Sequence, residues 1–209
     1  MSGPDVVVFG GSAGGMQALR GVFETLADVR GAVVCVVLHR SPDPSPLAAV
    51  LQSYTALPVQ EPGTSPWTCP PGAVTVAPAG YHLLMGQGRR LISEPSTPLA
   101  LYEADTSVRA DVSLDAPVAH SRPSLDVAFE SAAQLANTVI AVLLSCANED
   151  GAAGCEAVKA AGGRVVVQDP ATCDAPVAVN AAMRRIVPDH VADPQGIGRW
   201  LSQNLASGE

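Results

Sequence analysis

The sequence predicts an α/β protein, a single domain built on a doubly wound, mostly parallel sheet with helices on both faces. Its apolar runs are continuous rather than alternating, as strands buried on both faces require. These runs alternate along the chain with segments of helical periodicity, which implies right-handed crossovers. With 209 residues, 47% hydrophobic and 15% charged, the chain is large enough to bury one core. The expected arrangement is Rossmann-like.

Five apolar runs are predicted to be strands: Val6–Phe9, Ala32–Leu38, Ala73–Ala77, Thr138–Leu144 and Arg164–Val167. Six segments are predicted to be helices: Gly15–Leu26, Pro46–Ser53, Ser124–Leu135, Gly151–Ala161, Val177–Arg185 and Pro194–Leu205. The stretch from Ser93 to Arg122 is rich in Pro, Ser, Thr and Asp, and we expect a long surface excursion there. Because the pattern resumes after it unchanged, residues 1–209 are expected to form one domain.

Composition argues against several classes of partner. The formal net charge is -8, and basic residues cluster only in pairs such as Arg89-Arg90, which disfavours nucleic acid and anionic membranes. No apolar run approaches the roughly 18 residues of a membrane span, and none resembles a leader segment. The five cysteines are scattered without zinc-ligand spacing, so we expect free thiols, no metal and a cytoplasmic location.

A glycine-rich turn follows the first predicted strand. Gly10 to Gly14 fits the pattern G-x-S-x-G, in which small residues permit a tight strand-to-helix turn that exposes the serine hydroxyl. Free backbone N–H groups at the helix start, including that of Ala13, would stabilise an oxyanion. Neither the dinucleotide fingerprint nor a P-loop is present. Ser12 is therefore a candidate nucleophile, and the alternative is that it only caps the helix.

Ligands of open parallel sheets bind beyond the carboxyl ends of the strands. In this sequence a histidine is predicted to lie at such a strand end. His39 directly follows the apolar run that ends at Leu38, which makes it the first candidate for a general base. His82 is the second candidate, since it begins a strand rather than ending one. We expect His120 and His190 to be surface residues.

Asp150 follows another predicted strand and completes a possible Ser12–His39–Asp150 triad. An aspartate before a helix is also typical of an N-cap, and the two roles are compatible. Glu149 and Asp126 are alternative carboxylates, although Asp126 is expected in the first turn of a helix.

Several blocks of the sequence, in order, are similar to one known family. They are Gly10–Gly15, Val36–Pro42, Pro71–Leu83, Arg122–Ala133, Asp150–Gly154 and Gly162–Asp169. Through these blocks nearly the whole chain resembles the catalytic domain of the chemotaxis receptor methylesterases, the CheB-type protein-glutamate methylesterases. Many members carry an N-terminal receiver domain, whereas here the catalytic pattern starts at residue 5.

The resemblance implies an enzyme without a cofactor. Ser12 would attack a glutamyl methyl ester on the cytoplasmic helices of a methyl-accepting receptor, and the same residues would serve glutamine deamidation. His39 would exchange the proton, Asp150 would orient the imidazole, and the amides of Ala13 and Ala147 would bind the oxyanion.

Two segments depart from the family pattern. Ser145-Cys146-Ala147-Asn148 stands where the family has Thr-Gly-Met-Gly, and Val177-Ala178-Val179 replaces a Gly-Met-Pro. These departures leave one alternative to the esterase, a methylesterase-like binding module without turnover. The glycine-rich turn after the first strand leaves another, a nucleotide-binding α/β domain that holds a phosphate there.

Overall fold

A computed structural model describes residues 5–91 and 102–205. Its strands are β1 (Val6–Gly11), β2 (Val33–Leu38), β3 (Val59–Gln60), β4 (Trp67–Cys69), β5 (Val74–Val76), β6 (His82–Leu91), β7 (Tyr102–Ser113), β8 (Val139–Leu143), β9 (Arg164–Gln168) and β10 (His190–Ala192). Its helices are α1 (Gly15–Thr25), α2 (Leu47–Gln52), α3 (Leu125–Ala132), α4 (Ala152–Ala160), α5 (Val177–Arg185) and α6 (Pro194–Asn204).

Seven strands form a parallel sheet in the order β10-β9-β8-β1-β2-β5-β3. Every residue of β1, β2, β5 and β8 is buried, which explains why these strands consist largely of apolar residues without alternation. All five predicted strands are present, so the predicted fold class is confirmed. The predictions missed the two- and three-residue strands β3, β4 and β10, which are too short to give a pattern.

Helices cover both faces of this sheet and divide its core in two. One apolar cluster, which includes Phe9, Leu19 and Ile197, lies under α1, α2 and α6. The other, which includes Val8, Phe129 and Val158, lies under α3, α4 and α5. Along β1 the side chains alternate between the two clusters, as the period of two in a strand requires.

Part of the predicted surface excursion is ordered sheet instead, so that prediction was wrong for residues 102–113. β7 pairs antiparallel with β6 and β4 in a second, three-stranded sheet. In β7 Val108 and Ala110 are buried while Arg109 and Asp111 between them are partly exposed, an alternation that the polar composition concealed. The part of the predicted excursion over residues 93–101 lies outside the described residues.

The order of the strands places a crevice beside β1. The chain runs outward from β1 through β2 and β5, then returns to the other side of β1 as β8. β1 is thus the point at which the strand order reverses. At such a point the connecting helices leave towards opposite faces of the sheet, which opens a crevice at the carboxyl ends of the strands. The residues that follow β1, β2 and β8 thus share one edge. No helix in the described ranges is long and apolar enough to cross a membrane.

Candidate active site

Ser12 begins the turn between β1 and α1. Its backbone N–H donates to the carbonyl of Ser145 (2.9 Å), and its carbonyl accepts from Gly15 (2.8 Å). The helix is capped by Gly14, which has a left-handed φ of 78°, and no side chain caps it. Since the Ser12 hydroxyl makes no hydrogen bond with any described residue, the capping alternative is wrong. Ser12 itself is partly exposed.

A second serine, Ser145, holds this turn in place through hydrogen bonds. The buried Ser145 hydroxyl donates to the carbonyl of Ala13 (2.7 Å) and accepts from the backbone N–H of Ala175 (2.9 Å). The nucleophile turn is therefore tied to the segment that precedes α5. Gly14 is required here because a Cβ atom would lie 2.8 Å from both the Ser145 Oγ and the Asp174 Cβ atoms.

His39 lies at the end of the strand next to Ser12. Gly11 pairs with Leu38 in the parallel register, and the backbone N–H of His39 donates to the Gly11 carbonyl (3.1 Å). Neighbouring strands are about 4.8 Å apart, so the two side chains leave the same edge from adjacent strands. The His39 Nε2 atom is 2.7 Å from Oδ2 of Asp150, so the structure brings these two candidate residues together.

Asp150 is anchored by three further donors besides His39. Its carboxylate accepts from the backbone N–H groups of Leu125 (2.8 Å) and Asp126 (2.9 Å), and from the Ser124 hydroxyl (2.9 Å). These donors belong to the N-terminus of α3, where unpaired amides and the helix dipole stabilise negative charge. Asp150 therefore caps the neighbouring helix, so the expectation that it caps its own was wrong.

The helix that follows Asp150, α4, is capped by a carboxylate from α3. Asp126 accepts from the backbone N–H groups of Gly151 (2.9 Å) and Gly154 (2.7 Å). The two helices can exchange caps because their N-termini nearly touch: a Cβ atom on Gly154 would lie 3.1 Å from the Cα atom of Asp126. Asp126 does lie in the first turn of α3, as predicted.

These contacts set the charges in the site. Burial opposes ionisation of Asp150, but hydrogen bonds from His39 and from the backbone of α3 hold the pKa of its carboxyl below the ordinary value. Burial, with the nearby charge of Asp150, raises the pKa of Asp126 to about 6. Burial also opposes protonation of His39, yet the bond with Asp150, supported by Cys146, raises the pKa of His39 to about 9.

The other ring nitrogen of His39 faces loop side chains. Nδ1 is 3.2 Å from the Ser121 hydroxyl and 4.0 Å from the Cys146 sulfur. Because Nε2 is committed to Asp150, Nδ1 is the atom left to receive a proton from a nucleophile. Sequence reasoning missed Ser121, Ser124 and Ser145, since a serine in a loop carries no pattern of its own.

The remaining candidates lie elsewhere. His82 is buried and structural: its Nε2 faces the Ala116 carbonyl (3.1 Å), and its Nδ1 accepts from the Ser124 backbone (3.2 Å). Glu149 is exposed and pairs with Arg184, so it is not the orienting carboxylate. His120 is exposed as predicted, whereas His190 is only partly exposed and stacks on Trp200.

Two backbone amides and a groove complete the site. Within the described residues the N–H groups of Ala13 and Ala147 have no acceptor, which leaves both available to an oxyanion. A groove of about 440 Å³ begins at His39 and runs between Pro42, Gly80 and Arg122. Among the described side chains, no group of three or more metal-ligating residues is present.

The family is decided by comparison with known proteins. The family model described as CheB methylesterase matches residues 7–201. The chain belongs to this family. A solved structure, the CheB methylesterase catalytic domain of Thermotoga maritima, superposes with a TM-score of 0.80 at 25% identity, covering 97% of this chain and 99% of that one.

The chain matches its relatives over different fractions of their lengths. A protein of Leptospira interrogans is 29% identical over 205 residues, 96% of both chains. Those of Carboxydothermus hydrogenoformans (33% identical) and Bordetella pertussis (32%) are named protein-glutamate methylesterase/protein-glutamine glutaminase, and both match 82% of this chain. The chain spans 46% and 45% of their lengths.

The two segments that depart from the family pattern lie against each other. Cys146 donates its backbone N–H to Ala175 (3.0 Å), and its carbonyl accepts from Ala178 (3.3 Å). The segment Val177-Ala178-Val179 forms the first turn of α5. The loop therefore remains attached to the segment before α5, although Cys146 and Asn148 replace two glycines of the family pattern. After β8 the chain forms a short parallel bridge between Cys146 and Pro176.

Proposed function

We propose that this domain is a serine esterase that hydrolyses glutamate methyl esters on the cytoplasmic helices of chemotaxis receptors. The observation that carries the proposal is the His39–Asp150 pair, 2.7 Å apart, at the strand end next to the free hydroxyl of Ser12. Family membership supplies the substrate class, and deamidation of glutamine follows from the same chemistry. We further propose that residues 1–209 form one catalytic domain that acts in the cytoplasm.

In the first step the Ser12 Oγ atom attacks the ester carbonyl while its proton passes to Nδ1 of His39. Asp150 holds the ring by Nε2 and stabilises the imidazolium that forms. The negative charge that develops on the carbonyl oxygen is bound by the amides of Ala13 and Ala147.

In the second step the C–O bond to the methoxy group breaks, and Nδ1 returns the proton so that methanol leaves. A water then attacks the acyl-enzyme with His39 again taking the proton, and the free glutamate and Ser12 are released. For a glutamine the leaving group is ammonia and the proton transfers are the same.

The nucleotide-binding alternative fits the site less well. The carboxylate of Asp174 lies against Gly14 at the start of α1, since a Cβ atom there would be 2.8 Å from its Oδ2. The Asp174 side chain therefore occupies space beside the turn that a bound phosphate, the group such turns usually hold, would need. Calorimetric titration with mononucleotides and dinucleotides should therefore show no binding.

The test is release of methanol from a methylated receptor fragment. Replacing Ser12 with Ala should lower the rate by about three orders of magnitude or more, since only the oxyanion amides and substrate binding remain. The matched control is Ser53→Ala at the end of α2. Among the described residues its hydroxyl bonds only the Val50 carbonyl of the same helix, so the rate should not change. Equal rates for wild type and Ser12→Ala would leave the binding module without turnover as the better reading.

A further inference from the structure

A second hydroxyl occupies the position at which the nucleophile must act. The Ser121 Oγ atom is 3.2 Å from Nδ1 of His39, whereas the Ser12 hydroxyl has no partner among the described residues. In the neutral ring Nε2 carries the hydrogen, because it faces the carboxylate of Asp150. The lone pair of Nδ1 then accepts from one hydroxyl at a time.

The segment that carries Ser121 is held in a tight turn. Val118 and Ser121 exchange two backbone hydrogen bonds of 3.1 and 2.9 Å around only two residues. Those two, Ala119 and His120, have left-handed φ values of 48° and 64°, although such turns favour Asn-Gly. Each left-handed side-chain residue costs about 1 kcal/mol, so this conformation persists because its surroundings enforce it.

One of those surroundings is Asn148, in the segment that departs from the family pattern. Its Nδ2 atom donates to the Ala119 carbonyl (3.0 Å). Its Oδ1 atom accepts from the Cys146 thiol (3.0 Å) and from the backbone N–H of Asp150 (3.2 Å). The amide thus ties the turn to the loop that carries the carboxylate, and fixes Ser121 relative to His39.

We propose that Ser121 is a positioning residue that competes with Ser12 for Nδ1 of His39 and thereby restrains the nucleophile. The inference rests on the proposed esterase function and adds a residue that sets its rate. When the ring is neutral, the Ser121 hydroxyl occupies the lone pair that Ser12 needs. When the ring is charged, Nδ1–H donates to Ser121 and the charged form, which is inactive as a base, is stabilised.

Other titratable and charged groups also lie near the His39 ring, and the test leaves them unchanged. Asp150 lies at Nε2, and Cys146 lies 4.0 Å from Nδ1. Arg40, His120 and Arg122 line the groove that begins at His39. The substitution Ser121→Ala removes one hydroxyl and leaves each of these groups in place.

The experiment measures the rate at which a fluorophosphonate probe labels the protein from about pH 6 to about pH 10. The probe forms an Oγ–P bond with a serine and expels fluoride, while His39 takes the hydroxyl proton. In Ser121→Ala we expect labelling of Ser12 at neutral pH to be about threefold to tenfold faster, the effect of losing one competing hydrogen bond. The pH midpoint should also move downward, and the ¹⁵N NMR titration of the His39 ring should shift with it.

Two variants and peptide mapping make the result decisive. Ser121→Thr keeps a hydroxyl and should restore the wild-type midpoint, and Ser53→Ala, at the exposed end of α2, is the matched control. If the labelling rate and its pH midpoint were the same in wild type and in Ser121→Ala, the proposed restraint by Ser121 would be overturned. The esterase proposal would still stand. Label found on Ser121 would overturn the restraint too, because Ser121 would then be the nucleophile. No label on any serine would overturn both proposals.

Discussion

The two nitrogens of His39 face two differently built regions of the molecule. On the Nε2 side, Asp150 is fully buried and is fixed by two backbone amides of α3 and a serine hydroxyl. On the Nδ1 side, the ring meets the hydroxyl of Ser121 and the thiol of Cys146, both carried by loops.

The difference separates orientation from reactivity. Backbone donors at a helix start cannot rotate away, so the side built from them fixes the ring and its tautomer. Side chains on loops can exchange partners at a cost of about 1 kcal/mol, so the other side can be displaced by a substrate. The same histidine is thus held firmly at one atom and loosely at the other.

The largest effect should come from Asp150→Asn. Loss of the carboxylate charge removes the partner that fixes the tautomer and stabilises the imidazolium, so kcat for methanol release should fall by about three to four orders of magnitude. The pKa of Asp150 is lowered in the folded protein, so its stabilising contribution is present above the ordinary value near 4 and is lost as the pH falls through the lower value.

Asp126→Asn is the matched control, because Asp126 also accepts two backbone N–H groups at a helix start. Its pKa is raised to about 6, so its ionisation destabilises the fold as the pH rises from about 4 to about 6. An uncharged Asn at neutral pH should change the free energy of unfolding by no more than about 1 kcal/mol. Equal losses of activity and stability in the two variants, by kinetics and urea unfolding, would remove the distinction between the two carboxylates.

An intermediate effect is expected for Gly14→Ala in the nucleophile turn. The variant must adopt a φ of 78° and place its Cβ atom 2.8 Å from Asp174 and Ser145, so the free energy of unfolding should fall by about 3 kcal/mol and the esterase rate should fall with it. Gly162→Ala is the control, with a φ of 85° and nothing within 4 Å of the added Cβ, and should cost only about 1 kcal/mol. Similar melting temperatures for the two would show that the contacts with Asp174 and Ser145 do not constrain the turn.

The smallest effect is expected in the turn on the Nδ1 side. Ala119→Gly relieves a left-handed φ of 48° and should stabilise the protein by about 1 kcal/mol. Ala116→Gly, an exposed position without a left-handed φ, should instead lose about 0.5 kcal/mol through the greater entropy of the unfolded chain. A destabilised Ala119→Gly, measured by thermal unfolding, would contradict the strain in this turn.

The sequence predicted those parts of the fold and site that have a periodic or local signature. Continuous apolar runs such as Val33–Leu38 predicted buried parallel strands, and position after a strand singled out Ser12, His39 and Asp150 as candidates. It did not predict β7, because polar residues on the exposed face of a half-buried strand lower its mean hydropathy.

What the sequence by itself determined is the parallel sheet and the identity of the strand-end residues, because periodicity and chain order are local properties. Only the tertiary structure decided which helix each carboxylate caps, since Asp150 lies 25 residues from Leu125 in the chain and meets it only when α3 and α4 pack. It likewise decided that Ser121, rather than Ser12, contacts Nδ1, because that choice depends on a turn held by Asn148 from another loop.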